Sequence, residues 1–286
     1  WPAPVQWRAS NIDLFCDHPY NTGRSDADRG ALMFTRAKWC MASGKPSLTG
    51  EGGVFPATYW SRAGVDYDSV IVPHGTRFAR DQVWLSLTAG YVGVMYWTVD
   101  LDSKADELGK PTRVLAALGA DLRSFQRRRP PLALAMPADA SKNNDCFALV
   151  GKLMALGADF DTVPADEAAG YPAVLDLATL DLDQLPAVPS FARPADGYQA
   201  TALVAKDGQA LIYLRNAAAI VNPDPKLPTV YVREVREARP ALAFDAFPYT
   251  SWQAYDLNED KLVTLTRTAA GLALPPSTHD FVLYLK

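Results

Sequence analysis

A carboxylate set between glycines is the first feature of this sequence with chemical meaning: Lys45-Pro46-Ser47-Leu48-Thr49-Gly50-Glu51-Gly52-Gly53. The run reads as a strand that ends in Glu51. In βα units, active sites form at the carboxyl ends of the strands. Glycines there let the backbone approach a ligand closely. A glutamate so placed can attack an electrophilic carbon or accept a proton. Two more stretches have the same character. In Tyr91 to Asp100 (YVGVMYWTVD), Trp97 stands near a strand end and Asp100 just beyond it. An indole face suits the apolar C–H side of a sugar, and a carboxylate accepts hydroxyl hydrogen bonds. Asp17-His18-Pro19-Tyr20 follows the short apolar run Asn11 to Cys16 and adds polar, flat side chains at a third strand end. Taken singly, these residues also fit a solvated glutamate, a core tryptophan and a structural histidine.

The elements that must position these groups alternate. A helix capped by Ser25 and Asp26 runs to a stop at Gly44, a second spans about 76–89 and ends at Gly90, and a third opens with Pro111 and continues to Phe125. Three strand–helix alternations predict a parallel sheet covered by helices. The run Arg127-Arg128-Arg129-Pro130-Pro131 reads as a solvated boundary. Beyond it, LALAM (132–136), a helix over 144–156, ADFDTV (158–163) and YPAVLDL (171–177) make a small α/β segment. From about Asp196 the pattern becomes strands of alternating polarity with turn signals such as Asp207-Gly208, as in a β-sandwich. The expected domains are 1–129, 130–190 and 191–286.

Composition excludes several functions. The 286 residues are 49% apolar and 21% charged, and 28 basic against 32 acidic side chains give a net charge of −4. That balance does not suit a protein that binds nucleic acid by neutralising phosphates. No apolar run reaches the roughly 18 residues of a membrane span. Cys16, Cys40 and Cys146 have neither disulfide-framework nor zinc spacing, and His18, His74 and His279 make no metal pattern, so no metal and no cofactor are expected. A nucleotide site over 132–186 lacks its Gly-rich turn. Asp81, four residues after Arg77 on a helix, reads as a surface pair.

Taken in order, three motifs resemble the C-terminal part of a clan A glycoside hydrolase. They are the strand ending in D-H-P-Y (17–20), the strand reading K-P-x-L-x-G-E-G (45–52), and H-x-x-x-x-x-x-x-Q-x-W-x-x-L-x-A-G (74–90) leading into G-V-M-Y-W (93–97). The resemblance covers about residues 10–126. It implies strands six to eight of a TIM (β/α)8 barrel, so the expected fold class is that barrel portion followed by a small α/β segment and a C-terminal β-sandwich. It further implies a retaining glycosidase acting on an oligo- or polysaccharide, with Glu51 as nucleophile and Trp97 as sugar platform. Asp17, His18, Tyr20, Trp60 and Asp100 would bind substrate or position the nucleophile. An extracellular or periplasmic location goes with such enzymes.

The acid/base of that clan follows an Asn, and Asn258-Glu259, in a turn-like stretch, is the one such pair here. The donor is therefore expected upstream of Trp1, with Asp17 and Asp100 as fallbacks. A barrel segment of roughly 200 residues, or a second chain, would complete the barrel. The rival expectation is a non-catalytic carbohydrate-binding or assembly subunit that uses Trp97, Trp60 and Tyr59, with Glu51 as a hydrogen-bond acceptor.

Overall fold

The computed structural model describes residues 13–17, 29–52, 72–96, 102–136, 143–217, 220–221, 232–233 and 239–286. Strands β1 (Phe15–Asp17), β2 (Ser47–Gly52) and β3 (Gly93–Tyr96) pair in parallel in that order. Helices α1 (Arg29–Met41) and α2 (Val72–Ala89) alternate with them, and α3 (Asp102–Ala117) follows. A second parallel sheet, ordered β5-β4-β6, contains β4 (Leu132–Met136), β5 (Phe160–Pro164) and β6 (Ala173–Asp176), with α4 (Asn143–Ala155) between β4 and β5.

The remaining strands are antiparallel. One sheet of five, ordered β14-β13-β17-β9-β8, joins β8 (Tyr198–Val204), β9 (Ala210–Asn216), β13 (Trp252–Asp256), β14 (Lys261–Val263) and β17 (Phe281–Leu285). One sheet of four, ordered β15-β16-β12-β7, joins β7 (Arg193–Pro194), β12 (Ala241–Ala243), β15 (Thr266–Arg267) and β16 (Gly271–Ala273). Strands β10 (Ile220–Val221) and β11 (Val232–Arg233) pair with each other.

The expected portion of a (β/α)8 barrel is not what the chain forms. Among the described residues no barrel of alternating β/α units closes, and strand structure is spread over small sheets, most of it antiparallel. The reason the sequence misleads is physical. Alternating strands and helices dictate parallel pairing with helical cover, whereas closure depends on strand number, tilt and stagger, which a local pattern does not encode. The helix expected to open at Pro111 also differs, because Pro111 lies inside α3. A proline there removes one rung of the hydrogen-bond ladder.

The five-stranded sheet is the spine of the molecule because β8, β9 and β17 are buried on both faces. Along β9, Leu211 and Tyr213 face the helices and β4–β6, while Ala210, Ile212 and Leu214 meet the four-stranded sheet through Leu242 and Leu272. Period-two alternation thus feeds two cores instead of core and water. The β8–β9 hairpin turns at Gly208, whose φ of +92° suits glycine. Among the described residues no helix is long and apolar enough to cross a membrane.

Helix α2 docks on this spine through a stripe at spacings of three and four. The Asp81 carboxylate accepts from Tyr213 Oη at 2.7 Å and from Arg215 Nη2 at 3.0 Å; Trp84 packs on Tyr213; and the Thr88 and Thr201 hydroxyls lie 2.7 Å apart. Asp81 is thus a buried partner of β9, not half of a surface pair. The i, i+4 spacing that suggested Arg77 does not include a strand brought in from 134 residues away. Beside it, Arg80 forks onto Glu107 of α3 (Nε–Oε2 3.1 Å, Nη2–Oε1 2.7 Å) and reaches Asp280 at 3.3 Å and Asn258 at 2.6 Å. Lys110 adds a second cation to Glu107 at 2.7 Å. Burial disfavours the Arg80 cation, but the Glu107 bond and the Asp280 charge outweigh it and raise its pKa.

Lys38 of α1 has no such rescue. Its ammonium lies 5.2 and 5.4 Å from the Phe34 and Phe160 ring centroids. Burial, then the Arg127 charge, push its pKa down from 10.5 to about 8, against the pull of Asp161 and Asp159. The unfolded chain therefore holds this proton more tightly than the folded one. The resulting penalty is full below pH 8 and fades as pH rises toward 10.5. Replacing Lys38 with Met should raise the unfolding free energy by about 1–3 kcal/mol at pH 7, and urea melts from pH 7 to 10 should show that gain shrinking. A gain independent of pH would contradict the buried-amine reading.

Candidate active-site edge of the first parallel sheet

The backbone brings two of the sequence-selected acids to neighbouring strand ends. Asp17 is the last residue of β1 and pairs with Thr49; Glu51 lies two positions further along β2. With strands about 4.8 Å apart and about 3.3 Å of rise per residue, their backbones are roughly 8 Å apart. Strand β3 ends at Tyr96, the residue before Trp97, and Tyr96 pairs with Gly52. Three strand ends thus stand side by side at one edge. His18, Tyr20, Tyr59, Trp60, Trp97 and Asp100 lie outside the described residues, as do the side chains of Asp17 and Glu51.

The register is irregular at the residue that matters. Thr49 pairs with Val94 and Gly52 with Tyr96, so β2 uses three steps where β3 uses two. Gly50 and Glu51 sit in that bulge. A bulge interrupts alternation, twists the strand and re-aims the side chain it carries, and bulges concentrate beside active sites. The sequence signal for it was the pair of glycines around Glu51, since glycine inside a strand marks a bulge.

Among the described residues, one buried side-chain contact ties this edge to a helix. Thr49 Oγ1 and Ser86 Oγ of α2 are 3.1 Å apart, and Thr49 is 1% exposed. Ser86 lies between Asp81 and Thr88, so the helix clamped to the antiparallel sheet also fixes β2. Along the same helix, the Gln82 amide and the Trp84 indole N–H are buried without a hydrogen-bond partner. Such groups call for ordered water.

The three arginines of the boundary run are not merely solvated. Arg127 pairs with Asp161, Arg128 with Asp159 at 3.3 Å, and Arg129 stacks 3.9 Å from the Tyr171 ring centroid. Burial would raise the Asp161 carboxyl, yet the Arg127 and Lys38 charges hold it below its usual range. These partners sit on or beside β5 and the turn after it, 31 to 42 residues downstream, where local patterning gives no warning. The Cys146 thiol, pushed up to about 12 by burial, is no nucleophile. The Asn258-Glu259 turn is structural in its first residue, whose Oδ1 accepts from Arg80 and from the Asp280 amide. Glu107 and Asp280 are each engaged by cations. Among the described residues no group of three His, Cys, Asp or Glu side chains is placed to hold a metal ion.

Compared with known proteins, the chain matches no family model and no curated protein. The site therefore rests on its own residues.

Replacing Thr49 with Val strands the Ser86 hydroxyl in the interior and should cost about 1–2 kcal/mol of unfolding free energy in urea. Ser86→Ala on that background should recover part of the loss, a coupling that a double-mutant cycle reads. Strict additivity would show that this contact does not hold β2 to α2.

Proposed function

We propose that the chain carries the nucleophile of a retaining glycosidase, with Glu51 as that residue. The observation that carries the reading is the coincidence of a strand-end carboxylate, a bulge at that residue, and a parallel neighbour on each side, one ending in Asp17 and the other leading directly into Trp97. The reading does not depend on a closed barrel. It needs a carboxylate, an aromatic platform and a second carboxyl within reach.

In the first half-reaction a Glu51 carboxylate oxygen bonds to the anomeric carbon as the bond to the leaving oxygen breaks. A second carboxyl, about 5–5.5 Å away, protonates that oxygen. In the second half-reaction the same carboxyl, now ionised, takes a proton from water. The water oxygen displaces Glu51, so the configuration at the anomeric carbon is restored. Asp17 is the only acid that β1 or β3 contributes, which makes it the partner within the described sheet. Trp97 supports the ring of the bound sugar, while His18, Tyr20, Trp60 and Asp100 bind its hydroxyls or steady the nucleophile. The substrate is an oligo- or polysaccharide, and the reaction takes place outside the cytosol.

Glu51→Gln should lower hydrolysis of aryl glycosides by roughly a thousandfold or more, the scale on which covalent nucleophiles act, while sugar binding persists. Trp97→Ala should mainly raise KM. Undiminished turnover in the Gln variant would remove the proposal. Sugar binding with no hydrolysis in the unaltered protein would favour a non-catalytic glycan-binding subunit.

A further inference from the structure

A second site lies in a cavity of about 310 Å³ between the start of β5 and the segment after β12, and its lining residues come from none of β1, β2 and β3. One side is polar. The Arg128 guanidinium and the Asp159 carboxylate meet at 3.3 Å across its lining, and Ser190 Oγ donates at 2.7 Å to the Leu156 carbonyl, which leaves the hydroxyl oxygen able to accept. The other side is aromatic. Phe191, Phe244 and Tyr249 stand edge to face, with centroids 6.0 to 6.5 Å apart.

The walls are fixed in advance. Arg128 is held by its own amide on the Val204 carbonyl at 2.7 Å, and Phe191 by its amide on the Gly157 carbonyl at 2.9 Å. Gly157 has φ +62°, and a Cβ there would meet the Ala192 carbonyl at 1.9 Å, so no other residue fits that corner. Burial pushes the Tyr249 phenol up to about 12 against the pull of Arg128, with a smaller push from Asp159, and keeps it a neutral donor.

The lining selects its ligand by elimination. A cation meets Arg128, and an anion meets Asp159 and Asp245. A wholly apolar group would bury the Arg128–Asp159 pair without compensation. A neutral ring with hydroxyls at its rim and C–H bonds on its faces satisfies both walls at once: it accepts from Arg128 and Tyr249, donates to Asp159 and Ser190, and lays its C–H face on the aromatic rings. The volume is at the small end of ligand sites, room for one sugar unit and not a chain.

We propose that this cavity is a binding site for a single neutral sugar ring, separate from the Glu51 edge. The ligand class follows from the lining. Its role, holding a second unit of the glycan that is cleaved, rests on the glycosidase reading.

The test uses the intact protein and a panel of methyl glycosides of glucose, galactose, mannose and xylose, with saturation-transfer NMR and calorimetric titration. At least one should bind saturably with Kd around the millimolar range expected for so small a ligand. Tyr249→Phe and Arg128→Ala should each weaken it about three- to tenfold; Tyr249→Phe should leave the thermal midpoint unchanged, whereas Arg128→Ala leaves the buried Asp159 carboxylate without its cation and should lower it, so its binding is read well below that midpoint. No binding by any member, or binding indifferent to both substitutions, overturns the site. Binding lost only in Trp97→Ala also overturns it, while the glycosidase reading stands. Binding lost in Tyr249→Phe, in a protein whose hydrolysis ignores Glu51→Gln, upholds the site and removes that reading.

Discussion

The structure depends on two adjacent charges in the middle of one helix. Arg80 and Asp81 are both buried, and about 100° of helical rotation per residue sends them to different partners. Asp81 ties α2 to β9 through Arg215 and Tyr213; Arg80 ties it to α3 through Glu107 and to the start of β17 through Asp280. A buried pair gains little over a well-packed apolar contact, but removing one member leaves the other uncompensated at a cost of several kcal/mol. The cluster thus specifies how the helix is seated more than it adds to stability.

From that seat the consequences run to the strand edge. Five residues past Asp81, Ser86 holds Thr49, and two residues past Thr49 comes Glu51. The position of a carboxylate at the edge of a three-stranded sheet is thereby linked to a contact with an antiparallel sheet more than a hundred residues later in the chain. Three short parallel strands need packing against helices to be stable. Its geometry is borrowed from the helix layer, and the helix layer from the spine behind it.

What could be read in advance follows the range of the forces involved. The LALAM run, the helix over 143–155, the ALIYLRN strand and the terminal FVLYL strand are legible because their apolar patterns are strong and local. Alternation does not announce the change of sheet between β14, which ends at Val263, and β15, which begins at Thr266 in a different sheet. The parallel pairing of β1–β3 is implied by alternation, and the closed barrel is not, since closure is a global condition. Asp81 was misread because its partner is 134 residues away, and the arginine run because its neutralising groups cluster around β5. The aromatic cavity gave no signal at all. Its lining comes from four separated stretches that only the fold unites.

For the chemistry, what matters most is whether a covalent bond forms at Glu51. A fluoroglycoside with a dinitrophenolate leaving group is suited to that question. The fluorine slows breakdown of the glycosyl-enzyme, and so good a leaving group needs no proton donor, which isolates the nucleophile from the identity of the acid/base. After incubation and digestion, mass spectrometry should find one glycosyl adduct, on the peptide that contains Glu51. An adduct on any other carboxylate, or steady hydrolysis of unfluorinated aryl glycosides with no adduct at all, would contradict the assignment.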